Sequence, residues 1–444
     1  MKNSPLTVRK IFIFWIPLAA TWIMMALEGP FLAIIIARLA DPKHNLAAYG
    51  VAFAIAILVE SPIIMIMSAS TAIVEDRDSF LKLRNFTYGL NAIITVFMVV
   101  LLIPPVFNFV AKSIIRLPEG VAYLAHHACI LLIPWPAAIG YRRFFQGILI
   151  RSNLTRRVAY GTVVRLSAMG LTGLICYGFF EMAGASVGAL ALSIGVCAEA
   201  GASKLMARAP VIQLLSKENK NSKIKPWGYR SITKFYYPLA MTSILALGVY
   251  PMVIFFLGHS FMALESLAVF PVINSLVFIF RSMGLSFQEV GIALLGENNE
   301  GYEALKRFAI ILGLGVTAGL ALLAFTPLSS VWFRNISGLT LELTQFVDWP
   351  TKIMTPLPGL MVLLSFQRSV LVQRRKTGQI TIGTAIEVAG IIALLTITVD
   401  SLGMVGAAAA AISLLVGRFL ANAYLFVPLF KVLNAPIDEQ VRQH

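Results

Sequence analysis

The dominant feature of the chain is a succession of apolar segments long enough to cross a membrane. Such segments recur about a dozen times and occupy well over half of the 444 residues. A membrane-spanning helix needs about 20 mostly apolar residues to cross the hydrocarbon core. Apolar types make up 58% of the chain and charged types 13%, about half the charged share of a soluble domain. These values exclude a soluble globular protein and predict an all-α polytopic membrane protein.

The apolar segments predict twelve transmembrane helices. The predicted spans are residues 11–38, 46–74, 86–111, 119–147, 157–180, 184–212, 231–258, 262–294, 304–329, 342–370, 378–399 and 402–430. We number these helices 1 to 12.

The net charge of +15 is distributed as a topology signal. Basic residues cluster after helices 2, 4, 6 and 10, within residues 77–84, 142–157, 217–230 and 374–376, and the alternate connections hold few. Connections rich in Lys and Arg stay on the cytoplasmic side. We therefore expect both termini in the cytoplasm, the plasma membrane (the inner membrane of a bacterium) as the location, and no nucleic-acid partner.

An internal repeat divides the chain into two halves. Pro17 and Pro238 are 221 positions apart, as are Pro30 and Pro251, and the Gly161-Thr162 pair recurs 222 positions later. We predict two six-helix bundles, residues 1–214 and 230–444, joined by a cytoplasmic linker, 215–229. Six helices per repeat give a pseudo-two-fold axis along the membrane normal, the architecture of carriers that work by alternating access.

Prolines recur at equivalent positions of helices 1, 4, 7 and 10. A proline inside a helix removes a hydrogen bond and bends the axis. Because the positions repeat in both halves, we interpret them as hinges, although proline is also common in membrane helices in general. The predicted hinge residues are Pro17, Pro30, Pro134, Pro136, Pro238, Pro251, Pro356 and Pro358.

Seven ionisable residues fall near the middle of the predicted spans. An ionised side chain facing lipid costs at least about 2.5 to 3.5 kcal/mol, so these residues must face protein or water. At the repeat offsets Glu60 corresponds to Arg281 and Arg165 to Glu387, so equivalent positions carry opposite charge. We predict a latch between the bundles formed by Glu60, Arg281 and Glu387; local pairing within each bundle is the alternative. The seven residues are Glu28, Glu60, Arg165, Glu199, Arg281, Glu387 and Arg418.

Carboxylates in the N-terminal half form the candidate binding site. Glu28 and Glu60 lie at similar depth on consecutive helices, where a carboxylate can exchange a proton or attract a cation. Flexible methionines and an aromatic face nearby suit varied apolar cations. The predicted substrate or ion-binding residues are Glu28, Glu60, Met24, Met25, Met65, Trp135 and Arg165.

Motifs for catalysis are missing from the sequence. No Gly-Lys dipeptide occurs, which excludes a Walker A loop, and no His-Glu-x-x-His zinc motif occurs. We therefore expect neither an enzyme nor a cofactor or metal site. The function class that remains is transport driven by a gradient of H⁺ or Na⁺.

Several short motifs resemble those of one family of membrane transporters. Pro17-Leu-Ala-Ala, then Ala37-Arg38-Leu39 leading into 45–51 (NLAAYGV), resembles the first two helices of that family, and 143–149 (RFFQGIL) resembles its turn after helix 4. The Gly-Ala elements at 184–189 and 403–408 resemble those that open helices 6 and 12. These motifs resemble those of the multidrug and toxic compound extrusion (MATE) family, and the resemblance implies export of drug-like, often cationic organic compounds in exchange for H⁺ or Na⁺. We also expect a monomer, with a small organic substrate and membrane lipid as its partners. Leu32 stands where the family carries a helix 1 aspartate, which makes this a divergent sequence.

A second resemblance implies a different substrate. Residues 46–52 (LAAYGVA), followed by Glu60-Ser-Pro62, are similar to progressive-ankylosis-type membrane proteins, which are associated with the release of organic anions. Arg165, Arg281 and Arg418 would suit an anion. An uncoupled lipid scramblase or channel is the third alternative.

Overall fold

The computed structural model describes residues 6–152, 154–216, 227–296, 300–374 and 376–434. These residues are mostly helical, and they form no β-strand beyond one isolated bridge between Phe261 and Val405. Twelve of their helices are long and apolar enough to cross a membrane, which confirms the predicted all-α integral membrane fold. They are Val8–Ala37, Pro42–Glu60, Arg77–Leu101, Glu119–Arg151, Arg156–Phe179, Gly184–Met206, Tyr229–His259, Ala263–Leu294, Tyr302–Phe325, Leu341–Gln373, Gly378–Ser401 and Gly406–Leu433.

Helix 3 begins at Arg77, nine residues earlier than predicted, because a capping box starts it. Oδ1 of Asp76 accepts the N–H of Ser79 at 2.8 Å, and Oγ of Ser79 accepts the N–H of Asp76 at 3.1 Å. Burial acts to raise the pKa of Asp76, and the hydrogen bonds from Ser79 outweigh it, so this pKa lies below its usual value. The basic residues of 77–84 therefore occupy the first turns of a helix.

Helix 4 also extends beyond its predicted end, to Arg151. The assignment of Arg142 and Arg143 to the cytoplasmic connection was wrong. Both lie inside Pro134–Arg151, and Arg142 is only 5% exposed. A buried arginine contributes to packing and electrostatics within the helix bundle rather than to topology.

Prolines coincide with breaks in four membrane helices. Helix 1 is divided into Val8–Ala26 and Glu28–Ala37, and helix 7 into Tyr229–Leu247 and Val249–His259. Pro30 is the third residue of its second segment and, lacking an N–H, cannot bond the carbonyl of Ala26 four residues earlier.

The same arrangement recurs in the other proline-containing helices. Pro251 is likewise the third residue of Val249–His259. Helix 4 is interrupted before Pro134–Arg151, and helix 10 before Leu357–Gln373, where Pro356 is the N-cap. Pro136 and Pro358 lie in the first turns of these second segments, whereas Pro17 and Pro238 lie inside unbroken segments.

Helix 2 has a break that the predicted span 46–74 did not include. The helix ends at Glu60, residues 61–65 form turns, and Ile66–Ile73 continues as a short helix. Pro62 lies in the break, and Tyr236 donates its hydroxyl hydrogen to the Pro62 carbonyl at 2.6 Å. Met283 stands 221 positions after Pro62, and helix 8 is continuous there. Glu60 therefore occupies a helix end, whereas Arg281 lies near the middle of a 32-residue helix.

Backbone conformation repeats between the halves where the residue type does not. Asp41 (φ 48°) and Met262 (φ 54°) precede helices 2 and 8 and are 221 positions apart. Arg116 (φ 61°) and Gly338 (φ 74°) are 222 positions apart. A positive φ strains any residue with a Cβ, so its recurrence at matched positions supports the duplication independently of sequence identity.

The chain packs into two compact units, which we name after the half that contributes most residues. The N-terminal unit comprises Phe31–His259 and Ala263–Ala268; the C-terminal unit comprises Met1–Pro30, Ser260–Met262 and Val269–His444. The first segment of helix 1 thus belongs with helices 8 to 12, and helix 7 with helices 2 to 6. The predicted boundaries at 214 and 230 follow the repeat instead, and residues 217–226 of the predicted linker lie outside the described part of the chain.

Side-chain packing explains why the first segment of helix 1 belongs to the C-terminal unit. Ile11, Trp15 and Ala19 share a buried core with Phe287 of helix 8 and Phe308 of helix 9. The indole N–H of Trp15 donates to Oγ of Ser286 at 2.8 Å. An apolar stripe and one buried hydrogen bond therefore fix this segment.

Candidate functional site

A group of charged residues lies among the helices of the N-terminal unit; we call Glu60, Arg142, Arg143, Arg165 and Glu199 the N-terminal cluster. Its centre is the Glu199 carboxylate, whose side chain is 1% exposed. Arg142 pairs with Oε2 of Glu199, and Nε of Arg165 lies 3.5 Å from the same oxygen. Nε2 of Gln146 donates to the other oxygen, Oε1, at 3.0 Å. Three helices are thus joined through one carboxylate.

Local sequence explains how these side chains meet. Arg142 and Gln146 are four residues apart and therefore share one face of helix 4. Gly195 allows helices 5 and 6 to approach closely, since a Cβ there would lie 3.1 Å from the carbonyl oxygen of Arg165. A buried ion pair repays its desolvation only when further hydrogen bonds complete it, and Gln146 supplies one here.

Glu60 lies at the edge of this cluster, outside the ion pairs and the hydrogen bond that hold Glu199. The residue is 5% exposed, and its Oε2 is buried with no hydrogen-bond partner among the described residues. Arg142, Arg143 and Arg165 are close enough to act on it electrostatically. Nη1 of Arg143 instead lies 3.5 Å from the sulfur of Met67. Glu60 is therefore a buried carboxylate in a positive field with an unoccupied acceptor.

The C-terminal unit holds a second group, Arg281, Arg368, Glu387 and Arg418, which we call the C-terminal cluster. Nη2 of Arg418 is 2.7 Å from Oε1 of Glu387, and Nη1 of Arg418 is 2.9 Å from the sulfur of Met361. Nη2 of Arg368 donates to the Thr384 hydroxyl at 3.0 Å. Arg418 and Glu387 both act electrostatically on Arg281 and on Arg368. Three arginines thus lie in the electrostatic field of one carboxylate, and Arg418 forms the ion pair with it.

The predicted binding residues divide between the two units. Met24, Met25 and Glu28 belong to the C-terminal unit, with Glu28 half-buried at the start of the second segment of helix 1. The remaining predicted residues belong to the N-terminal unit, where Trp135 is buried with its ring 6.1 Å from that of Phe53. Only Glu60 and Arg165 among the predicted set belong to the N-terminal cluster. Their contact with a substrate stays a prediction.

One predicted latch residue, Glu387, has a partner inside its own unit, and so does its counterpart in the repeat, Arg165. Glu387 pairs with Arg418, and Arg165 lies within ion-pair distance of Glu199. Local pairing, the alternative interpretation of the buried charges, therefore describes these residues. The latch of Glu60 with Arg281 stays a prediction.

The seven predicted buried charges do not include three arginines that belong to the two clusters, Arg142, Arg143 and Arg368. The charge pattern assigns Arg142 and Arg143 to the basic connection after helix 4, and Arg368 lies close to the basic run at 374–376. The missed signal was periodicity, because Arg142 and Gln146 repeat at helical spacing on a face that is otherwise buried.

No protein-family model and no curated protein matches the chain. Solved structures match it over nearly their full length. The lipid II flippase MurJ, in an inward closed conformation, has a TM-score of 0.71 at 14% identity, covering 96% of this chain and 89% of that one. An inward-facing multidrug resistance MATE family transporter of the MOP superfamily has a TM-score of 0.66 at 16% identity, covering 93% and 95%.

A third structure with this fold differs in the polarity of its binding pocket. It is a MOP superfamily transporter from Pyrococcus furiosus whose pocket of reverse polarity suggests a different function. Its TM-score is 0.64 at 16% identity, covering 96% of this chain and 97% of that one. These similarities confirm the predicted MATE-like fold.

Proposed function

We propose that the protein is a secondary transporter that moves a small organic substrate across the membrane by alternating access, with Glu60 as the carboxylate that couples transport to H⁺ or Na⁺. The duplicated helical bundle is the architecture in which this mechanism occurs. Ionisable residues retained inside membrane helices are costly, and they commonly mark ion or substrate pathways.

The unpartnered oxygen of Glu60 is the observation that carries the coupling role. Glu199 and Glu387 are already held by arginines, so their carboxylates stabilise the helix packing. Glu60 is buried, yet its Oε2 has no hydrogen-bond partner among the described residues. A proton or a sodium ion would satisfy that oxygen, and its loss would return the carboxylate to the field of the arginines.

The test is transport in proteoliposomes that contain the purified full-length protein. Uptake of a fluorescent lipophilic cation and of radiolabelled citrate is measured under an imposed pH gradient and, separately, under a sodium gradient. Glu60→Gln should reduce gradient-driven accumulation of the substrate at least about tenfold. Exchange of substrate across the membrane at equal ion concentrations should stay at the wild-type level. Glu303→Gln is the matched control, because the Glu303 side chain is 69% exposed. Accumulation by Glu60→Gln at the wild-type level would overturn the coupling role.

The two candidate substrate classes carry opposite charge. Export of cationic drug-like compounds rests on the MATE resemblance and on the Glu60 carboxylate. Export of organic anions rests on the charge balance, because the two clusters together contain six arginines but three glutamates. That surplus of buried positive charge favours the anion.

A further inference from the structure

We propose that the C-terminal cluster is the site that binds the anionic group of the substrate, a carboxylate or phosphate carried by a small organic anion. The proposal rests on the transport function proposed above and names its substrate class. Arg281, Arg368 and Arg418 would hold the anionic group, with Glu387 positioning Arg418.

Charge balance is the first support. The cluster contains three guanidinium groups and one carboxylate, which leaves two positive charges without a compensating anion among its members. The N-terminal cluster, in contrast, sets two carboxylates against its three arginines. Uncompensated charge in a low-dielectric interior is unfavourable, and a bound dianion would neutralise it.

Convergence of four helices is the second support. A Cβ on Gly284 would lie 3.0 Å from the backbone N of Val362, so helices 8 and 10 touch one turn from Arg281. Met361, at the same contact, meets the guanidinium of Arg418. These contacts place Arg281 beside Arg418.

Helix 11 completes the arrangement. Arg368 bonds Thr384, which lies one turn from Glu387, the partner of Arg418. The three arginines come from helices 8, 10 and 12 and therefore surround one region of the C-terminal unit.

Unused donors are the third support. The Nε atoms of Arg281, Arg368 and Arg418 are all buried, and none has a hydrogen-bond partner among the described residues. Arg368 commits one terminal nitrogen and Arg418 commits both of its terminal nitrogens to the contacts above. A guanidinium presents planar paired donors that match the oxygens of a carboxylate or phosphate. Three such forks around one place form a binding site for an oxyanion.

Binding measurements on the purified full-length protein in phosphatidylcholine nanodiscs test the site. Citrate and inorganic pyrophosphate are titrated calorimetrically at low ionic strength, so that the carboxylate and the phosphate are compared directly. Arg281→Gln and Arg368→Gln should each weaken binding of the preferred anion at least about tenfold. Arg281→Lys keeps the charge but loses the planar fork, and its affinity should fall between those of the wild type and Arg281→Gln.

Arg307→Gln is the matched control, because it removes the same charge from an exposed position of helix 9 in the same unit. Its affinity should equal that of the wild type. Nanodiscs that contain phosphatidic acid identify the lipid source: a lipid-borne phosphate should compete with the soluble anions only if the site opens to the bilayer.

Two results would overturn the proposal. One is the absence of anion binding by the wild type; the other is an equal loss of affinity in Arg281→Gln, Arg368→Gln and Arg307→Gln. Thermal unfolding of each variant distinguishes loss of the site from loss of the fold. If anions fail to bind while the proteoliposomes still accumulate the lipophilic cation, the anion site is wrong and the transport function stands. If anions bind but neither substrate is transported, the transport function is wrong instead.

Discussion

At the scale of single residues, Glu199 is the side chain on which the N-terminal cluster depends. Its two oxygens serve Arg142, Arg165 and Gln146, which come from two other helices. Removing one member of a buried ion pair leaves its partner charged and desolvated, at a cost of about 3 to 5 kcal/mol.

We expect Glu199→Gln to destabilise the protein strongly, because two arginines would lose their shared counter-charge. The loss should be about 3 kcal/mol, measured as a lower midpoint of thermal unfolding in detergent. Glu303→Gln, which removes an exposed carboxylate, should change the midpoint little. Equal unfolding midpoints for the two variants would show that Glu199 does not contribute to the stability of the fold.

The sequence identified Glu199 and Arg165 as buried charges but could not pair them. Helical spacing predicts which residues share a face of one helix. Glu199 lies 57 positions from Arg142, and the rotation of helix 6 against helix 4 depends on packing that no local pattern encodes. Arg142 was misassigned for a related reason, since a basic residue near a helix end serves topology and packing equally well.

At the scale of helices, the break at Pro30 stands apart from the other proline breaks. Pro30 is the last residue of Met1–Pro30, which belongs to the C-terminal unit, and Phe31 begins the N-terminal unit. Pro251 makes an equivalent break, but the whole of Tyr229–His259 lies within one unit. A hinge has mechanical meaning where the chain passes from one unit to another.

We expect Pro30→Ala to slow transport without unfolding the protein. Alanine restores the N–H that can bond the Ala26 carbonyl, so the two segments of helix 1 should join into one stiffer helix. The initial rate of proteoliposome uptake should fall at least about threefold, while the unfolding midpoint stays equal or rises.

Pro251→Ala provides the comparison, since it mends the same kind of break inside a single unit. Its uptake rate should stay close to that of the wild type. A similar slowing by both variants would mean that proline breaks act generally rather than at the passage between units.

The proline pattern allowed four of the helix breaks to be predicted, but the break in helix 2 was missed. Pro62 has no proline counterpart in the other half, where Met283 occupies the matched position. The predicted hinges are prolines that recur in both halves, so an unpaired proline such as Pro62 is not among them. That break determines where Glu60 lies, and the asymmetry of the two halves therefore carries as much information as their similarity.

At the scale of the whole molecule, each compact unit takes a membrane segment from the opposite half of the sequence. The segment lengths predicted twelve helices correctly, because hydrophobic thickness determines helix length. Which helix packs in which unit depends on the fit of side chains such as Trp15 against Ser286, and no periodic pattern specifies that.

We expect the protein to assemble from two separately expressed fragments, residues 1–216 and 227–444. Each unit needs residues from both fragments, so the pair should co-purify, and the second fragment alone should be recovered in low yield.

A pair of variants within helix 1 sharpens this test. Trp15→Ala removes a buried side chain and its hydrogen bond, a loss of about 3 to 5 kcal/mol, and should reduce co-purification at least about tenfold. Phe12→Ala, on the same segment at a position 46% exposed, should reduce it little. Independent recovery of both fragments in folded form would contradict the packing of helix 1.

The position of helix 1 in the C-terminal unit has a consequence for biosynthesis. Trp15 leaves the ribosome 271 residues before Ser286, its hydrogen-bond partner. At translation rates of about 5 to 20 residues per second, the nascent first helix therefore waits in the bilayer for tens of seconds with its indole N–H unmatched. In an incomplete chain the face of helix 1 that carries Ile11, Trp15 and Ala19 has not yet packed against helices 8 and 9. This unpacked face is a feature by which the quality-control machinery of the membrane can recognise incomplete chains.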